Sequence, residues 1–151
     1  MNILFFLTPK SEVAYVYEDY TLRETLNTLE TRKYTAVPML DREGKYKGVV
    51  TEGDVLRTLT SKDGISMHDV ASILTRKIWR RIDMVPIKVN SNIEDLIAVS
   101  MRQNFVPVVD DDDVFIGIIT RKSIIEYCYK NSSIYIEDSL KRSREQSRQY
   151  I

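Results

Sequence analysis

The sequence predicts a mixed α/β fold of the α+β type, built from two β-α-β-β-α repeats that pack against each other. Three observations lead to this prediction: an internal repeat with a constant offset, apolar strands joined by short loops, and leucines and isoleucines at helical spacing. At 151 residues, the chain is long enough for one ordinary domain or for two half-size units that share a core.

Two short motifs carry the internal repeat. Val37-Pro38-Met39-Leu40-Asp41 is echoed by Val106-Pro107-Val108-Val109-Asp110, and Gly48-Val49-Val50-Thr51 is echoed by Gly117-Ile118-Ile119-Thr120. Equivalent positions are 69 residues apart (107 − 38, 110 − 41, 117 − 48 and 120 − 51). A single offset at four positions indicates a duplicated unit.

Each copy predicts the same order of elements. The first copy predicts a strand at 13–17, a helix from Leu22 with Thr21 as its N-cap, strands at 36–40 and 46–50, and a helix over about 52–59. The second copy predicts a strand at 87–89, a helix capped by Asn92, strands at 105–109 and 114–119, and a helix to about Tyr129. Gly44 is expected in the first hairpin loop, where a positive φ is needed.

These elements divide the chain into four parts. Residues 1–62 form the first repeat, 63–83 a connecting helix, 84–130 the second repeat and 131–151 a charged C-terminal tail. The connecting helix is predicted from an amphipathic stripe of Val70, Ile73, Leu74 and Ile78. The tail alternates charges and serines, so we expect a frayed or dimer-swapped helix there.

Charge and cysteine content restrict function and location. Lys and Arg (22) balance Asp and Glu (22), so no global field draws the chain to nucleic acid or to an anionic membrane. The single Cys128 cannot form an internal disulfide, and one histidine, His68, gives no zinc-ligand spacing, so neither a metal nor a cofactor is expected. The apolar run 3–7 is too short for a signal peptide or a membrane span, and a cytoplasmic location fits best.

The strand-to-helix junctions are candidate ligand sites. At the first junction, the carboxylate of Asp54 can accept a forked pair of hydrogen bonds from a ribose, and Thr51 with nearby backbone N–H groups suits a phosphate. A structural role for Asp54 stays open, because a carboxylate in a first turn also favours the helix dipole. The second junction has Ser123 in place of this Asp but gains Arg121 and Lys122, which favour phosphate or form a solvated helix start.

These motifs resemble the signature of tandem CBS domains, which assemble as a pseudo-twofold Bateman module. The signature positions are Pro38, Asp41, Gly48, Thr51 and Asp54 in the first repeat, and Pro107, Asp110, Gly117 and Thr120 in the second. The resemblance covers about residues 3–130. It implies clefts between the repeats that hold adenosine-containing ligands, with a second cleft formed by Thr51, Asp54, Asn104 and Phe105.

A narrower resemblance refines the ligand. Residues 12–16, 34–38 and 114–122 are similar to the stand-alone CBS-pair proteins of Gram-positive bacteria that bind cyclic di-AMP. This resemblance implies that Ala14, Tyr34, Thr35, Ala36, Thr120, Arg121, Lys122 and Ser123 hold the nucleotide. It also implies a homodimer and a regulated protein target, such as a (p)ppGpp synthetase/hydrolase or a metabolic enzyme, from which the nucleotide releases it.

The function predicted is therefore a regulatory, non-enzymatic module that senses an adenine nucleotide, preferably cyclic di-AMP, with AMP, ADP or ATP as alternatives. One alternative is a ligand-free module for dimerisation or interaction, favoured by the loss of Asp at Ser123. A second alternative is nucleic-acid binding through a basic helix, Arg76 to Arg81, with Trp79 stacking on a base.

Overall fold

The computed structural model describes residues 1–61, 68–78, 80 and 83–148, with the backbone alone for 133–136, 138–140 and 142–148. The strands are β1 (Thr8–Pro9), β2 (Val16–Tyr17), β3 (Ala36–Leu40), β4 (Tyr46–Thr51), β5 (Ile87–Lys88), β6 (Phe105–Val109) and β7 (Phe115–Thr120). The α-helices are α1 (Leu22–Arg32), α2 (Glu52–Thr60), α3 (Ile93–Ser100) and α4 (Arg121–Arg148). Their order within each repeat confirms the predicted β-α-β-β-α plan.

Two sheets form the framework. The first has the order β2-β3-β4, with β2 parallel and β4 antiparallel to β3. The second has the order β1-β7-β6-β5, and its β5-β6-β7 part repeats the first sheet. The repeat holds in the register too, because Val16 lies opposite Met39 and Ile87 lies opposite Val108.

Polar caps explain where the first three helices begin. Thr21 and Glu24 form a reciprocal capping box at α1, and Thr51 and Asp54 form one at α2. The side chain of Asn92 accepts a hydrogen bond from the backbone N–H of Asp95 at α3. All three caps lie directly after extended backbone, so each helix is fixed at a strand or loop end.

The two hairpins join the sheets at their loops. Gly44, at φ 85°, provides the positive φ that the first loop requires. The N–H of Tyr46 donates to the carbonyl of Asp113 (3.0 Å), and the N–H of Phe115 donates to the carbonyl of Gly44 (2.9 Å). A small core of Val13, Leu40 and Phe115 packs behind this junction, so both repeats form one body.

Residues 3–9 complete the second repeat and not the first. Strand β1 pairs antiparallel with β7, and Gly117 lies against it, where an added Cβ would overlap the carbonyl oxygen of Thr8. Ile3 and Phe6, in a 3-10 turn (Ile3–Phe6), pack into the core of the second repeat. This packing was not predicted from the sequence, because the pairing partner lies more than 100 positions away and no local pattern reveals it.

The linker completes the first repeat in the same manner. Val70 and Ile78 pack into the core of the first repeat, and the N–H of Leu22 donates to the carbonyl of Ile73 (2.8 Å). The predicted connecting helix is wrong over residues 68–78, where two 3-10 turns, Asp69–Ala71 and Thr75–Lys77, stand instead. Backbone bonds to α1 and to the preceding loop replace the helical ladder there; residues 63–67, 79, 81 and 82 lie outside the described residues.

The C-terminal tail is not a separate element. Helix α4 begins at Arg121 and runs without a break to Arg148, so the predicted helix end near Tyr129 is wrong. Residues 131–148 contain neither glycine nor proline, and therefore nothing in the backbone ends the helix.

Candidate functional site

A cavity of about 180 Å³ lies between the two repeats. The first repeat contributes Val13, Ala14, Tyr34, Ala36 and Pro38, and the second contributes Asn104, Phe105, Ile118 and Thr120. Most of this lining is apolar, which suits a flat aromatic group. The structure thus brings together Ala14, Tyr34, Ala36 and Thr120 of the predicted set. Asn104 and Phe105, which were predicted for the second cleft, also line this cavity.

Ala14 offers the cavity a polar backbone edge. It lies in extended chain before β2 and is 6% exposed. Among residues 1–61, 68–78, 80 and 83–148, no hydrogen bond reaches its N–H or its carbonyl. A buried backbone donor and acceptor without partners is rare, so a ligand that pairs with both would satisfy a local requirement.

A larger groove of about 550 Å³ adjoins this cavity, and the two share Val13 and Ala14. One wall is the start of the chain and strand β2, and the other is the polar face of α1 with Asn27, Thr28, Thr31 and Arg32. Lys10 and Arg32 give the groove two cations, and its exposed lining is mainly polar. Sequence reasoning missed this groove; the polar residues at helical spacing on α1 were its only signal.

Three tyrosines line the other side of the groove. Tyr15, Tyr17 and Tyr20 pack edge to face in a row, and the ammonium of Lys10 lies 4.9 Å from the centre of the Tyr15 ring. Burial and the neighbouring Tyr17 raise the pKa of Tyr15 above its usual value. The phenol therefore stays protonated at neutral pH and keeps a hydrogen-bond donor.

At the first strand-to-helix junction, the Asp54 carboxylate already accepts hydrogen bonds from within the protein. One oxygen of Asp54 accepts from the backbone N–H of Thr51 (3.0 Å), and the other accepts from the guanidinium of Arg57 (2.6 Å). Asp54 is 1% exposed, and neither Thr51 nor Asp54 lines the two cavities described above. Asp54 therefore caps α2 and pairs with Arg57, which agrees with the structural role left open in the sequence analysis. Contact of Asp54 with a ribose stays a prediction.

The second junction does not face the cavity either, apart from Thr120. The Arg121 Nε donates to the carbonyl of Ser100 at the end of α3 (2.7 Å), and Lys122 points outward beside Glu126 (3.8 Å). Ser123 Oγ donates to the carbonyl of Thr120, and Thr35 is exposed. The carbonyl of Thr35 accepts from the N–H of Glu52 (2.9 Å), so its backbone positions α2. Roles for these residues in binding stay predictions.

The remaining residues singled out from the sequence are a histidine, a cysteine and a basic segment. His68 and Cys128 are exposed, and in the described part of the chain no group of three or more metal-ligating side chains is found. Arg76 and Lys77 are exposed on a 3-10 turn, so the predicted basic helix is wrong there; Trp79 and Arg81 lie outside the described residues. Across the described residues, no helix combines the length and apolarity needed to span a bilayer.

The duplicated fold, with a cavity where the two units meet, defines a class of proteins built from paired β-α-β-β-α repeats. The chain belongs to the CBS domain family: the family description matches residues 6–61 and 70–130, which is most of the chain. The predicted resemblance to tandem CBS domains is thereby confirmed.

Several known proteins are similar over most of this chain. The cyclic di-AMP receptor B of Bacillus subtilis is 24% identical over 126 residues, which cover 83% of this chain and 85% of the receptor. The crystal structure of CbpB in complex with c-di-AMP superposes with a TM-score of 0.82 at 21% identity and covers 91% of both chains. CBSX2 in complex with AMP gives a TM-score of 0.65 at 21% identity, covering 87% of this chain and 98% of CBSX2.

At these identities, the solved structures establish the fold. Two other relatives are enzymes, from Methanococcus vannielii and Methanocaldococcus jannaschii, and the match spans only 21% of the length of each. Most of the length of each enzyme therefore lies outside the similarity.

Proposed function

We propose that this chain is a regulatory module that binds an adenine nucleotide between its CBS repeats, with cyclic di-AMP preferred over AMP, ADP and ATP, and thereby controls a partner protein. The proposal assigns binding and no catalytic step to the chain, and it places the protein in the cytoplasm. The receptor of Bacillus subtilis is named for cyclic di-AMP, CbpB was solved with cyclic di-AMP and CBSX2 with AMP. These names support an adenine ligand.

The observation that carries the proposal is the free backbone edge of Ala14 at the wall of an apolar cavity shared by both repeats. An adenine base has flat apolar faces and an edge with an amino donor beside a ring-nitrogen acceptor. Its faces fit between apolar side chains such as Ala36 and Phe105, and its edge complements an N–H and a carbonyl.

The size of the two cavities favours a ligand larger than a base. Ligand sites are commonly 300–1,000 Å³. The 180 Å³ cavity falls below that range, whereas the adjoining 550 Å³ groove lies within it. A base in the cavity would place the ribose and phosphate in the groove, near Lys10 and Arg32. A cyclic dinucleotide would extend further along the tyrosine row, and this supports cyclic di-AMP over AMP.

Closing the cavity tests the proposal. Ala36→Phe places a ring where the base is proposed to lie, because Ala36 lines the first cavity. Isothermal titration with cyclic di-AMP should show at least a 100-fold loss of affinity, while Ala98→Phe, on an exposed face of α3, binds like the wild type. Binding unchanged by Ala36→Phe, or no heat with any adenine nucleotide for the wild-type protein, would contradict the proposal.

The position of the phosphate can be tested separately. The groove predicts that Lys10→Ala and Arg32→Ala weaken cyclic di-AMP about tenfold each, whereas the family resemblance assigns this role to Arg121 and Lys122. Comparing these variants with Arg121→Ala decides between the two sets of cations.

A second candidate function, interaction without a ligand, has its own observation. Leu56 on α2, Met101 after α3, and Ile125 and Tyr129 on α4 are apolar and well exposed. If these side chains form one contiguous patch, they would suit a docking or dimer surface. A partner captured equally well with and without every adenine nucleotide would favour this candidate.

A further inference from the structure

Gln103 is a buried polar residue with an unusual set of partners. It lies in the loop between α3 and β6 and is 8% exposed. The Gln103 Oε1 accepts from the N–H of Val85 (2.9 Å), and Nε2 donates to the carbonyls of Val85 (3.3 Å) and Phe105 (3.2 Å). Because a backbone N–H can only donate, these partners fix which end of the carboxamide is which.

Val85 is the equivalent of Ala14 in the second repeat. Val16 is paired with Met39 and Ile87 with Val108, and Met39 and Val108 are one repeat apart (108 − 39 = 69). Ala14 and Val85 each lie two residues before the paired strand residue. The backbone edge that is free at Ala14 is therefore tied at Val85 by the Gln103 side chain.

Gln103 also stands at an informative position. It is the repeat equivalent of Tyr34 (103 − 34 = 69), which lines the cavity of the first repeat without a hydrogen bond to Ala14 among the described residues. A carboxamide and an adenine edge both present a donor beside an acceptor. The Gln103 side chain thus makes, to Val85, the pair of hydrogen bonds that an adenine would make to Ala14.

We propose that Gln103 is a built-in occupant of the second repeat's base site, so that the chain binds one adenine base edge and not two. This inference rests on the proposed function, since it takes adenine as the ligand of the first cavity. It identifies Gln103 as the residue that sets the number of sites.

Neighbouring bonds hold the same segment in place. The hydroxyl of Tyr46 donates to the carbonyl of Met84 (2.6 Å), one residue before Val85. Phe105, the repeat equivalent of Ala36, lines the first cavity, and only its carbonyl is hydrogen-bonded to the Gln103 amide. Removal of the Gln103 side chain is therefore expected to free the Val85 edge without displacing its backbone.

The test counts sites in variants that open or close each cavity. Isothermal titration with cyclic di-AMP and with AMP is made on the wild type, on Gln103→Ala, on Ala36→Phe and on the double variant Ala36→Phe/Gln103→Ala. We expect one site in the wild type, two in Gln103→Ala, none in Ala36→Phe and one in the double variant. Gln103→Tyr, which copies the first repeat, should also give two sites, because Tyr34 lines the first cavity and leaves the Ala14 edge free. Circular dichroism checks that each variant folds.

The outcomes separate this inference from the proposed function. A double variant that binds supports the role of Gln103 even if the wild type binds nothing, which would refute only the proposed function. A double variant that does not bind overturns the role of Gln103, even if the wild type binds one nucleotide as proposed. Two sites in the wild type also overturn it.

Hydrogen exchange on the unliganded wild type gives a measurement that needs no variant. The amide of Val85 should be protected by the Gln103 carboxamide, and the amide of Ala14 should exchange at least tenfold faster. Equal exchange at the two amides would overturn the inference.

Discussion

The two repeats share one order of elements but bury and terminate them with different residues. The first repeat completes its core with Val70 and Ile78 from the linker, whereas the second uses Ile3 and Phe6 from residues 3–9. The junction of the first is closed by the Asp54 carboxylate, and that of the second by the Ser123 hydroxyl. Duplication has thus kept the backbone plan while the polar and terminal contacts diverged.

The largest expected effect is a loss of unfolding free energy, and it differs between the cores of the two repeats. Ile3→Ala removes a fully buried side chain from the second core and should cost about 3 kcal/mol of the free energy of unfolding. Val70→Ala, its counterpart in the first core, should cost about 2 kcal/mol because fewer methyl groups are lost. Urea unfolding measures both.

Hydrogen exchange shows where each loss falls. Ile3→Ala should lower protection mainly in β6 and β7, and Val70→Ala mainly in β3 and β4. Equal losses in both sheets would show that the cores are not separable, and Leu4→Ala, at a more exposed position, is the matched control.

An intermediate effect distinguishes the two junctions. Asp54→Ala removes the capping acceptor at α2 and the carboxylate paired with Arg57, and should cost about 2 kcal/mol of unfolding free energy. Ser123→Ala, at the equivalent position (123 − 54 = 69), loses a single hydroxyl bond and should cost about 0.5 kcal/mol. Similar costs in thermal or urea unfolding would contradict the structural role given to Asp54.

The smallest effect concerns two ion pairs with opposite polarity. Arg42 in the first hairpin loop pairs with Asp19 after β2, whereas Asp113 in the second hairpin loop pairs with Lys88 of β5. The hydrogen bond from the basic partner lowers the pKa of Asp19 and of Asp113 below their usual values. A lowered pKa stabilises the fold above the unfolded-state pKa, near about 3.9, and the gain disappears as pH falls through the folded-state pKa.

Arg42→Ala and Lys88→Ala should therefore destabilise the protein slightly at pH 7 and less at the lowest pH at which it remains folded. NMR titration should show the pKa of Asp19 rising in the first variant and that of Asp113 rising in the second. A cost that grows on acidification would contradict this account.

Local pattern predicted the central parts of the fold. Strands β3 and β6 were predicted with their observed bounds, because Ala36–Leu40 and Phe105–Val109 are apolar runs with loops on both sides. Strands β2 and β5 are shorter than predicted, since only two residues of each pair with a neighbour. The stripe from Val70 to Ile78 predicted burial correctly but helix wrongly, because long-range bonds to α1 override the local period.

The sequence predicted a cleft between the repeats but neither the adjoining groove nor the hydrogen-bond partners around it. Ala14, Tyr34, Ala36 and Thr120 line one cavity, and their contact with a nucleotide stays a prediction. The groove with Lys10 and Arg32 depends on α1 lying opposite the start of the chain, a contact that no sequence spacing reports. The partners of Arg121 and Gln103 likewise come from tertiary packing.

Strand β1 is synthesised long before β7, the strand with which it pairs. The apolar side chains of Ile3 and Phe6 are translated well before β7, which supplies their sheet. The first repeat can close as soon as the linker has left the ribosome, while the second waits for its final strand. During that interval, residues 3–9 form an unpaired apolar segment, the kind that chaperones bind and that swaps between neighbouring nascent chains.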